Sequence, residues 1–281
     1  MSNTVFVPGH VTGFFNIENH EISLKNGSCG AGFLLSEGVR TTISDADKLT
    51  IDVNKGDDTV INEVLNILEI EANFKIVQDI SLPIGAGFGT SAASALSLTL
   101  AINEFLNLGY SEELCGQIAH MAEINLGSGL GDVIAQTGKG LVLRTQPGAP
   151  GIGEIESFEH DIFIAYKTFG AIQTSDIISN PHHKRAISAS GLKYLELFKK
   201  EPSLENFLSF SNRFAHETNL MSEEVENLVD YFNSLNDILG SSMAMLGNTV
   251  FSFAYDEDAF KNLGIEDLHI CQLNNIGIVH D

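Results

Sequence analysis

Basic side chains are scarce in this sequence of 281 residues, with 15 lysines and arginines against 37 aspartates and glutamates. The formal net charge of −22 at pH 7 gives the surface a negative potential. Such a surface repels nucleic acids and anionic membranes, so we expect neither as a partner. An anionic ligand must therefore be held by local donor groups and not by the general field of the protein.

Long hydrophobic runs are also missing. No stretch of 18 or more apolar residues occurs, so we expect no membrane-spanning helix. Residues 1–10 lack the basic region and apolar run of a secretion signal. The three cysteines, Cys29, Cys115 and Cys271, are too few and too widely spaced for a disulfide framework or a zinc cluster. We therefore expect a cytoplasmic protein.

Apolar residues are plentiful, at 43% of the chain, and they occur in patterns of both strands and helices. Short apolar runs predict strands at Val5–Val7, Gly32–Leu35, Leu49–Val53, Phe74–Gln78, Gly140–Arg144, Asp161–Thr168, Thr249–Tyr255 and Leu268–Leu273. Helical patterns cover Thr59–Leu68, Ser91–Leu108, Ser111–Asn125, Lys184–Lys200, Ser203–Glu217 and Ser222–Leu239. This mixed order predicts an α+β fold. Prolines and glycines in residues 146–153 predict a boundary near Gly148, with domains at residues 1–148 and 149–281.

The segment Pro83–Ala93 carries three glycines at alternating positions and then two hydroxyl side chains at the start of a long predicted helix. Glycines let the backbone turn tightly and approach a ligand. The free amides and the dipole of a helix N-terminus attract anions, and hydroxyls there can ligate Mg²⁺. We expect a phosphate-binding loop made of Pro83, Gly85, Ala86, Gly87, Phe88, Gly89, Thr90, Ser91 and Ala92.

This loop matches none of three common glycine-containing motifs. A Walker loop needs a lysine after its glycines, and the Rossmann pattern needs another spacing with an acidic residue after the next strand. A hydrolase nucleophile elbow needs glycine at position 93, where this chain has Ala93. A plain strand-to-helix connector is the alternative, and it leaves the three glycines and two hydroxyls without a role.

Two carboxylates follow the loop along the chain. Glu123 lies on a predicted helix, opposite the apolar stripe and on the same side as small residues and His120, where it could approach a metal. Taken alone, a solvated glutamate is the favoured alternative. Asp132 follows three alternating glycines, and it could orient a substrate hydroxyl or merely cap a short helix. Phosphoryl transfer requires little more than positioning, charge neutralisation and such a group.

Arg144 ends the next predicted strand and is one of only four arginines in the chain. Its planar fork suits a substrate carboxylate, which it could bind through two hydrogen bonds. An ordinary surface ion pair is the equally weighted alternative.

Together these segments resemble the motifs of the GHMP kinases. Pro83–Ala93 is similar to the second family motif, Pro-x-x-x-Gly-Leu-Gly-Ser-Ser-Ala-Ala, and Ser128–Asp132 is similar to its Ser-Gly-x-x-Asp setting. Gly240–Gly247 resembles a glycine-poor version of the third motif. Phe6–Phe15 has His10 where many members have lysine, and it resembles the archaeal branch of the family that phosphorylates pantoate.

The resemblance implies the two-domain GHMP kinase fold, with an N-terminal domain like ribosomal protein S5 domain 2 and a C-terminal ferredoxin-like domain. It implies ATP as the phosphoryl donor, with Ser91 and Glu123 holding Mg²⁺ and Asp132 completing the catalytic set. It further implies that pantoate is the acceptor on the route to coenzyme A, and that the protein forms a homodimer. Ser28, His120 and Arg144 would hold the acid, and His10 is grouped with them.

Other functions stay open. The acceptor could be homoserine, shikimate, mevalonate or another small alcohol. A non-catalytic ligand sensor on the same fold usually lacks the metal ligand or the base, whereas Ser91, Glu123 and Asp132 are all present. A plain binding or scaffold protein leaves two separate glycine loops unexplained.

Overall fold

The computed structural model describes residues 2–71, 73–171 and 181–281, and for residues 181–184 it describes the backbone alone. Its first sheet is built on a long antiparallel hairpin. The hairpin joins β1 (Ser2–Glu18) to β2 (Gly27–Asp45) through a short 3-10 turn at Ser23–Lys25. Both strands are buried over long continuous stretches, and their β-branched residues favour extended backbone. The predicted strands at Val5–Val7 and Gly32–Leu35 are therefore parts of much longer ones.

Five further strands complete this sheet. They are β3 (Thr50–Val53), β4 (Phe74–Ile80), β5 (Leu141–Gln146), β6 (Glu154–Phe158) and β11 (Val279–His280). One edge of β2 pairs with β5 near its start and with β4 near its end, while β3 adds to β4, β6 to β5 and β11 to β1. The domain boundary near Gly148 stays a prediction, and β6 and β11 lie in the first sheet although they follow that residue.

Helices cover one face of the first sheet. They are α1 (Thr59–Leu68), α2 (Thr90–Leu106), α3 (Glu112–Leu126) and the short α4 (Asp132–Gln136). Small residues let α2 lie directly on β1 and β2, and its first 13 residues are buried almost without exception. The predicted cap of α3 is present, because the Ser111 hydroxyl accepts a hydrogen bond from the Leu114 amide.

The second sheet is antiparallel, with the strand order β10-β7-β9-β8. Its strands are β7 (Phe163–Thr168), β8 (Gly240–Met243), β9 (Thr249–Ala254) and β10 (His269–Gln272). Its helices are α5 (Pro181–Lys200), α6 (Leu204–Thr218), α7 (Glu223–Asn233) and α8 (Asp258–Lys261). The helix predicted to reach Leu239 thus ends at Asn233, since a turn follows there.

An aromatic cluster joins the two sheets. The Phe33 ring on β2 lies 4.9 Å and 4.8 Å from the rings of Phe251 and Phe253 on β9. Phe207 on α6 stacks against both β9 rings, and Phe14 on β1 lies beside Phe207. One continuous core therefore fixes the first sheet against the second.

No helix within the described ranges is both long and apolar enough to cross a membrane.

Candidate active site

A cavity of ≈ 780 Å³ lies where the ends of several elements meet. Its wall combines the glycine loop, the residues between α3 and α4, side chains of β1 and β5, and the turn between β8 and β9. These segments are far apart in the sequence. The fold therefore gathers the segments that carry the sequence motifs around one space.

The glycine loop adopts the conformation that its sequence predicts. Gly85, Gly87 and Gly89 have φ angles of 70°, 87° and 59°, a left-handed region that other residues rarely enter. Helix α2 starts directly afterwards, so its free amides lie at the cavity. The cavity wall includes Gly85, Gly87, Phe88, Gly89, Thr90 and Ser91. Pro83, Ala86 and Ala92, which we also expected at the phosphates, are not part of the wall.

Contacts from β1 and from the segment around β9 hold this loop in place. The His10 amide donates to the Phe88 carbonyl over 2.9 Å, and the Thr249 hydroxyl donates to the Ala86 carbonyl over 2.8 Å. Gly247 lies so close to Ala86 that a Cβ atom at position 247 would overlap its carbonyl. The loop is thus held from both sides through its backbone carbonyls.

The turn after β8 brings a backbone outlier to the cavity. Leu246 has a φ angle of 65° and lines the cavity with Met245, whose amide donates to the Thr12 carbonyl over 2.9 Å. A left-handed leucine is strained and persists only where its surroundings enforce it. Leu246 belongs to Gly240–Gly247, the segment that resembles the third family motif, but sequence reasoning assigned it no individual role.

Glu123 is buried, with 3% of its surface exposed, which excludes the solvated alternative. Its carboxylate accepts hydrogen bonds from the hydroxyls of Ser91 and Ser128, the second over 2.7 Å. A Cβ atom at Gly129 would overlap Glu123 Oε2, so glycine is needed there. Burial raises the pKa of Glu123 to about 7 against the opposing effect of the two serine hydrogen bonds.

These oxygen donors are suited to one kind of cation. Among the described residues, no group of three or more histidine, cysteine or acidic side chains could hold a metal ion. A hydroxyl and a single carboxylate, as at Ser91 and Glu123, match Mg²⁺, which takes few protein ligands and completes its shell with phosphate oxygens and water. The pair therefore fits Mg²⁺ better than a transition metal.

Asp132 opens α4 immediately after Gly131, and its side chain is 27% exposed. Its Oδ1 atom lies 2.6 Å from Nδ1 of His10, which is fully buried. His10 reaches Asp132 because β1 is irregular between Pro8 and His10, where the pairing with β2 shifts. Asp132 thus has a specific side-chain partner 122 residues away in the chain. This contact favours a functional role for Asp132 over that of a simple helix cap.

Arg144 is 1% exposed and reaches the cavity from β5. Its Nε donates to the Ser28 carbonyl over 3.3 Å, and its terminal nitrogens donate to Nε2 of His10 and to the Thr12 hydroxyl over 3.2 Å and 3.4 Å. All three acceptors are neutral. The expected alternative of a surface ion pair does not apply, since the guanidinium is buried.

The charges of Asp132 and His10 follow from their surroundings. Burial alone would raise the pKa of Asp132, but the His10 hydrogen bond and the nearby Arg144 charge outweigh burial and lower it, so the carboxylate is ionised. Burial lowers the pKa of His10 against the pull of Asp132, and Arg144 lowers it further, so the imidazole is neutral.

The other two expected acid-binding residues differ in position. Ser28 lines the cavity, close to Gly131, where a Cβ atom would overlap the serine hydroxyl. His120 is 2% exposed, hydrogen-bonds to the backbone of Ser23 and Asn26, and lies outside the cavity wall. Its Nε2 atom has no hydrogen-bond partner among the described residues. Direct contact of His120 with substrate stays a prediction.

Sequence reasoning assigned no role to several residues that support the site. Ser128 donates to Glu123, Thr12 accepts from Arg144, and the Gln136 amide donates to the Gly89 carbonyl over 2.9 Å. Ser128 and Thr12 lie within Ser128–Asp132 and Phe6–Phe15, two segments that resemble family motifs. Their place in these motifs could therefore have indicated a role in the site. Gln136 carried none, because its partner is a backbone atom 47 residues away.

Comparison with known proteins agrees with this geometry. The family model "GHMP kinases N terminal domain" matches residues 58–140. A pantoate kinase of Methanocaldococcus jannaschii is 34% identical over 93% of this chain and 96% of its own. A pantoate kinase of Thermococcus kodakarensis is 34% identical over 91% of this chain and 89% of its own.

A solved structure described as a "Phosphotransferase related to CoA biosynthesis pathway" superposes with a TM-score of 0.88 at 29% identity, over 100% of this chain and 99% of its own. The predicted α+β GHMP kinase fold is confirmed. The prediction that the protein is an ATP-dependent kinase is also confirmed. The chain therefore belongs to the GHMP kinase family, in the group that contains the pantoate kinases.

Proposed function

We propose that this chain transfers the terminal phosphoryl group of ATP to pantoate, forming 4-phosphopantoate for coenzyme A synthesis. One observation carries the choice of acceptor: the cavity has a buried guanidinium, Arg144, whose hydrogen-bond acceptors within the described ranges are all neutral. A buried charge is costly unless it is paired. A substrate carboxylate supplies the missing partner, and the pantoate kinase relatives support the assignment.

The position of Asp132 fits the other end of such a substrate. His10 alone separates its carboxylate from Arg144, so the cavity presents an anion and a cation a short distance apart. A molecule with a carboxylate at one end and a hydroxyl at the other can contact both. Because phosphoryl transfer passes through a loose transition state, an ionised Asp132 needs only to orient the hydroxyl and receive its proton.

The ATP phosphates and the metal ion would bind to the wall of the cavity that carries the glycine loop. The amides of Gly87–Ser91 would wrap the phosphate groups at the N-terminus of α2. Ser91 and Glu123 would hold Mg²⁺, which neutralises charge on the phosphate oxygens when bound. The homodimer and the cytoplasmic location that the resemblance implies stay predictions.

The charge at Arg144 also discriminates between the acceptors left open above. In homoserine the ammonium and the carboxylate share one carbon, so a carboxylate on Arg144 would bring the ammonium close to the guanidinium. In pantoate a neutral hydroxyl takes that place, and its two methyl groups suit the apolar wall formed by Phe15, Leu130 and Met245. The like-charge contact disfavours homoserine.

The direct test compares acceptors. Purified protein with ATP and Mg²⁺ should phosphorylate pantoate with a kcat/KM at least 100-fold above that for homoserine, mevalonate or shikimate. ADP release measures the rate, and mass spectrometry identifies the phosphorylated acid. Faster turnover of any other acceptor would overturn the assignment of pantoate.

Asp132→Asn removes the charge and the proton acceptor but keeps the size of the side chain. We expect kcat to fall by a factor on the order of 1,000, with nucleotide affinity nearly unchanged, because Asp132 does not contact the phosphates in this proposal. Asp52→Asn, an exposed carboxylate on β3, is the control. Near-normal turnover by the Asp132 variant would remove it from the reaction.

Arg144→Lys keeps the positive charge but removes the planar fork. We expect the KM for pantoate to rise by roughly tenfold or more while the KM for ATP stays constant. Arg40→Lys is the matched control, since Arg40 is exposed and pairs with Asp281. An unchanged KM for pantoate in the Arg144 variant contradicts the carboxylate clamp.

The raised pKa of Glu123 makes the stability of the ligand-free protein depend on pH. Its folded value of about 7 exceeds the unfolded value of 4.5, so the native state binds more protons between these pH values and loses stability as pH rises through them. Glu123→Gln removes this loss. Its free energy of unfolding relative to the wild type should increase by roughly 3 kcal/mol from pH 4.5 to pH 8.

Urea unfolding of both proteins at the two pH values, without metal or nucleotide, measures this difference. Glu71→Gln, an exposed glutamate, should show no such change. A pH-independent difference between the Glu123 variant and the wild type would show that folding does not raise the pKa of this carboxyl.

A further inference from the structure

The buried imidazole of His10 lies between the two charged groups of the site. Its Nδ1 atom is 2.6 Å from Asp132 Oδ1, and its Nε2 atom is 3.2 Å from a terminal nitrogen of Arg144. The ring is fully buried and does not line the cavity. His10 therefore touches the groups that would meet the substrate, but not the space that the substrate would fill.

The hydrogen-bond partners assign the tautomer of this ring. A guanidinium can only donate, so Nε2 must carry a lone pair and accept from Arg144. The remaining proton then sits on Nδ1 and is donated to Asp132. Both ring nitrogens are satisfied in the neutral form, and a proton added to Nε2 would face the Arg144 donor.

We propose that His10 is a positioning residue: a neutral imidazole that fixes the catalytic Asp132 carboxylate and connects it to the Arg144 guanidinium. This inference rests on the proposed function for its kinetic consequences, and it replaces the grouping of His10 with the residues that hold the acid. Correct placement of the substrate carboxylate on Arg144 is thereby linked to the orientation of Asp132.

The local structure is shaped around this ring. Gly32 on β2 lies against it, and a Cβ atom there would overlap His10 Nε2. Lysine at position 10 would place a second cation beside Arg144 and could accept no hydrogen bond from it. Imidazole carries a donor and an acceptor at opposite ends of one rigid ring, which is what these two neighbours require.

Two substitutions test the two hydrogen bonds of the His10 ring separately. His10→Asn keeps an amide N–H near the Nδ1 position and loses the contact with Arg144. His10→Gln places its amide at the depth of Nε2, where it can accept from Arg144, and loses the donor to Asp132. His10→Ala removes both contacts, and thermal unfolding of all three variants establishes that they are folded.

The groups that face Asp132 are His10, Arg144 and Glu123. Loss of the His10 donor raises the pKa of Asp132, so the acid limb of the kcat–pH profile should move up by roughly one pH unit in the Gln and Ala variants. It should stay near the wild-type position in the Asn variant. The KM for pantoate should rise severalfold in the Asn and Ala variants and stay near normal in the Gln variant.

Unchanged acid limbs in all three variants would overturn the proposal, even if kcat fell, because they would leave His10 with a purely structural role. A shifted acid limb in the Asn variant equal to that of the Ala variant would also overturn it.

A ligand-free measurement keeps this inference distinct from the proposed function. Long-range ¹H–¹⁵N NMR at pH 7, with His10→Asn used to assign the signals, should show a neutral Nδ1–H imidazole, because burial lowers the pKa of His10. A charged ring or the Nε2–H tautomer contradicts the proposal whatever the acceptor is. The expected tautomer together with no turnover of pantoate would instead refute the proposed function alone.

Discussion

A guanidinium that is 1% exposed has little access to water, so its donors must be used by the protein or by a ligand. Arg144 on β5 takes acceptors from β1 and from the start of β2, and it thereby fixes three strands relative to one another. Its charge also acts on two neighbouring groups. It adds to the effect of burial in lowering the pKa of His10, and it adds to the effect of the His10 hydrogen bond in lowering the pKa of Asp132. Arg144 is therefore a structural centre of the site, and under the proposed function it is also the residue that binds the substrate carboxylate.

The long hairpin explains how such distant residues meet. β1 and β2 run side by side for most of their length, so the start of β2 pairs with the end of β1, and His10 and Thr12 in the middle of β1 pair with Leu34 and Gly32. The two pairing shifts in β1 turn His10 and Thr12 towards β5. The glycine loop and the turn before β9 then lie against the same part of β1 through main-chain hydrogen bonds. The glycine loop and the residues that surround Arg144 consequently share one support.

Features set by local sequence were predictable. Helix α1 spans the predicted Thr59–Leu68, and Ser111 caps α3, because periodicity and capping depend on neighbouring residues. The full length of β1 could not be predicted, because Pro8 and Gly9 disfavour a strand and only pairing with β2 overrides this tendency. The burial of Glu123 could not be predicted from the sequence either. A helical wheel shows which residues share a face of a helix, but it does not show what packs against that face. The contact between His10 and Asp132 depends on a strand irregularity that single-sequence patterns do not encode.

Several polar groups of the site face a glycine: Glu123 faces Gly129, Ser28 and Arg144 face Gly131, Asp132 faces Gly89, and His10 faces Gly32. A methyl group at Gly129, Gly131 or Gly32 would overlap a side-chain oxygen or nitrogen, and one at Gly89 would press against the carbon atoms of Asp132. Leu130 and Met245 also line the cavity, and their apolar side chains take no part in these polar contacts. Substitution at these two positions can therefore reshape the space for an acceptor while the packed polar groups stay in place.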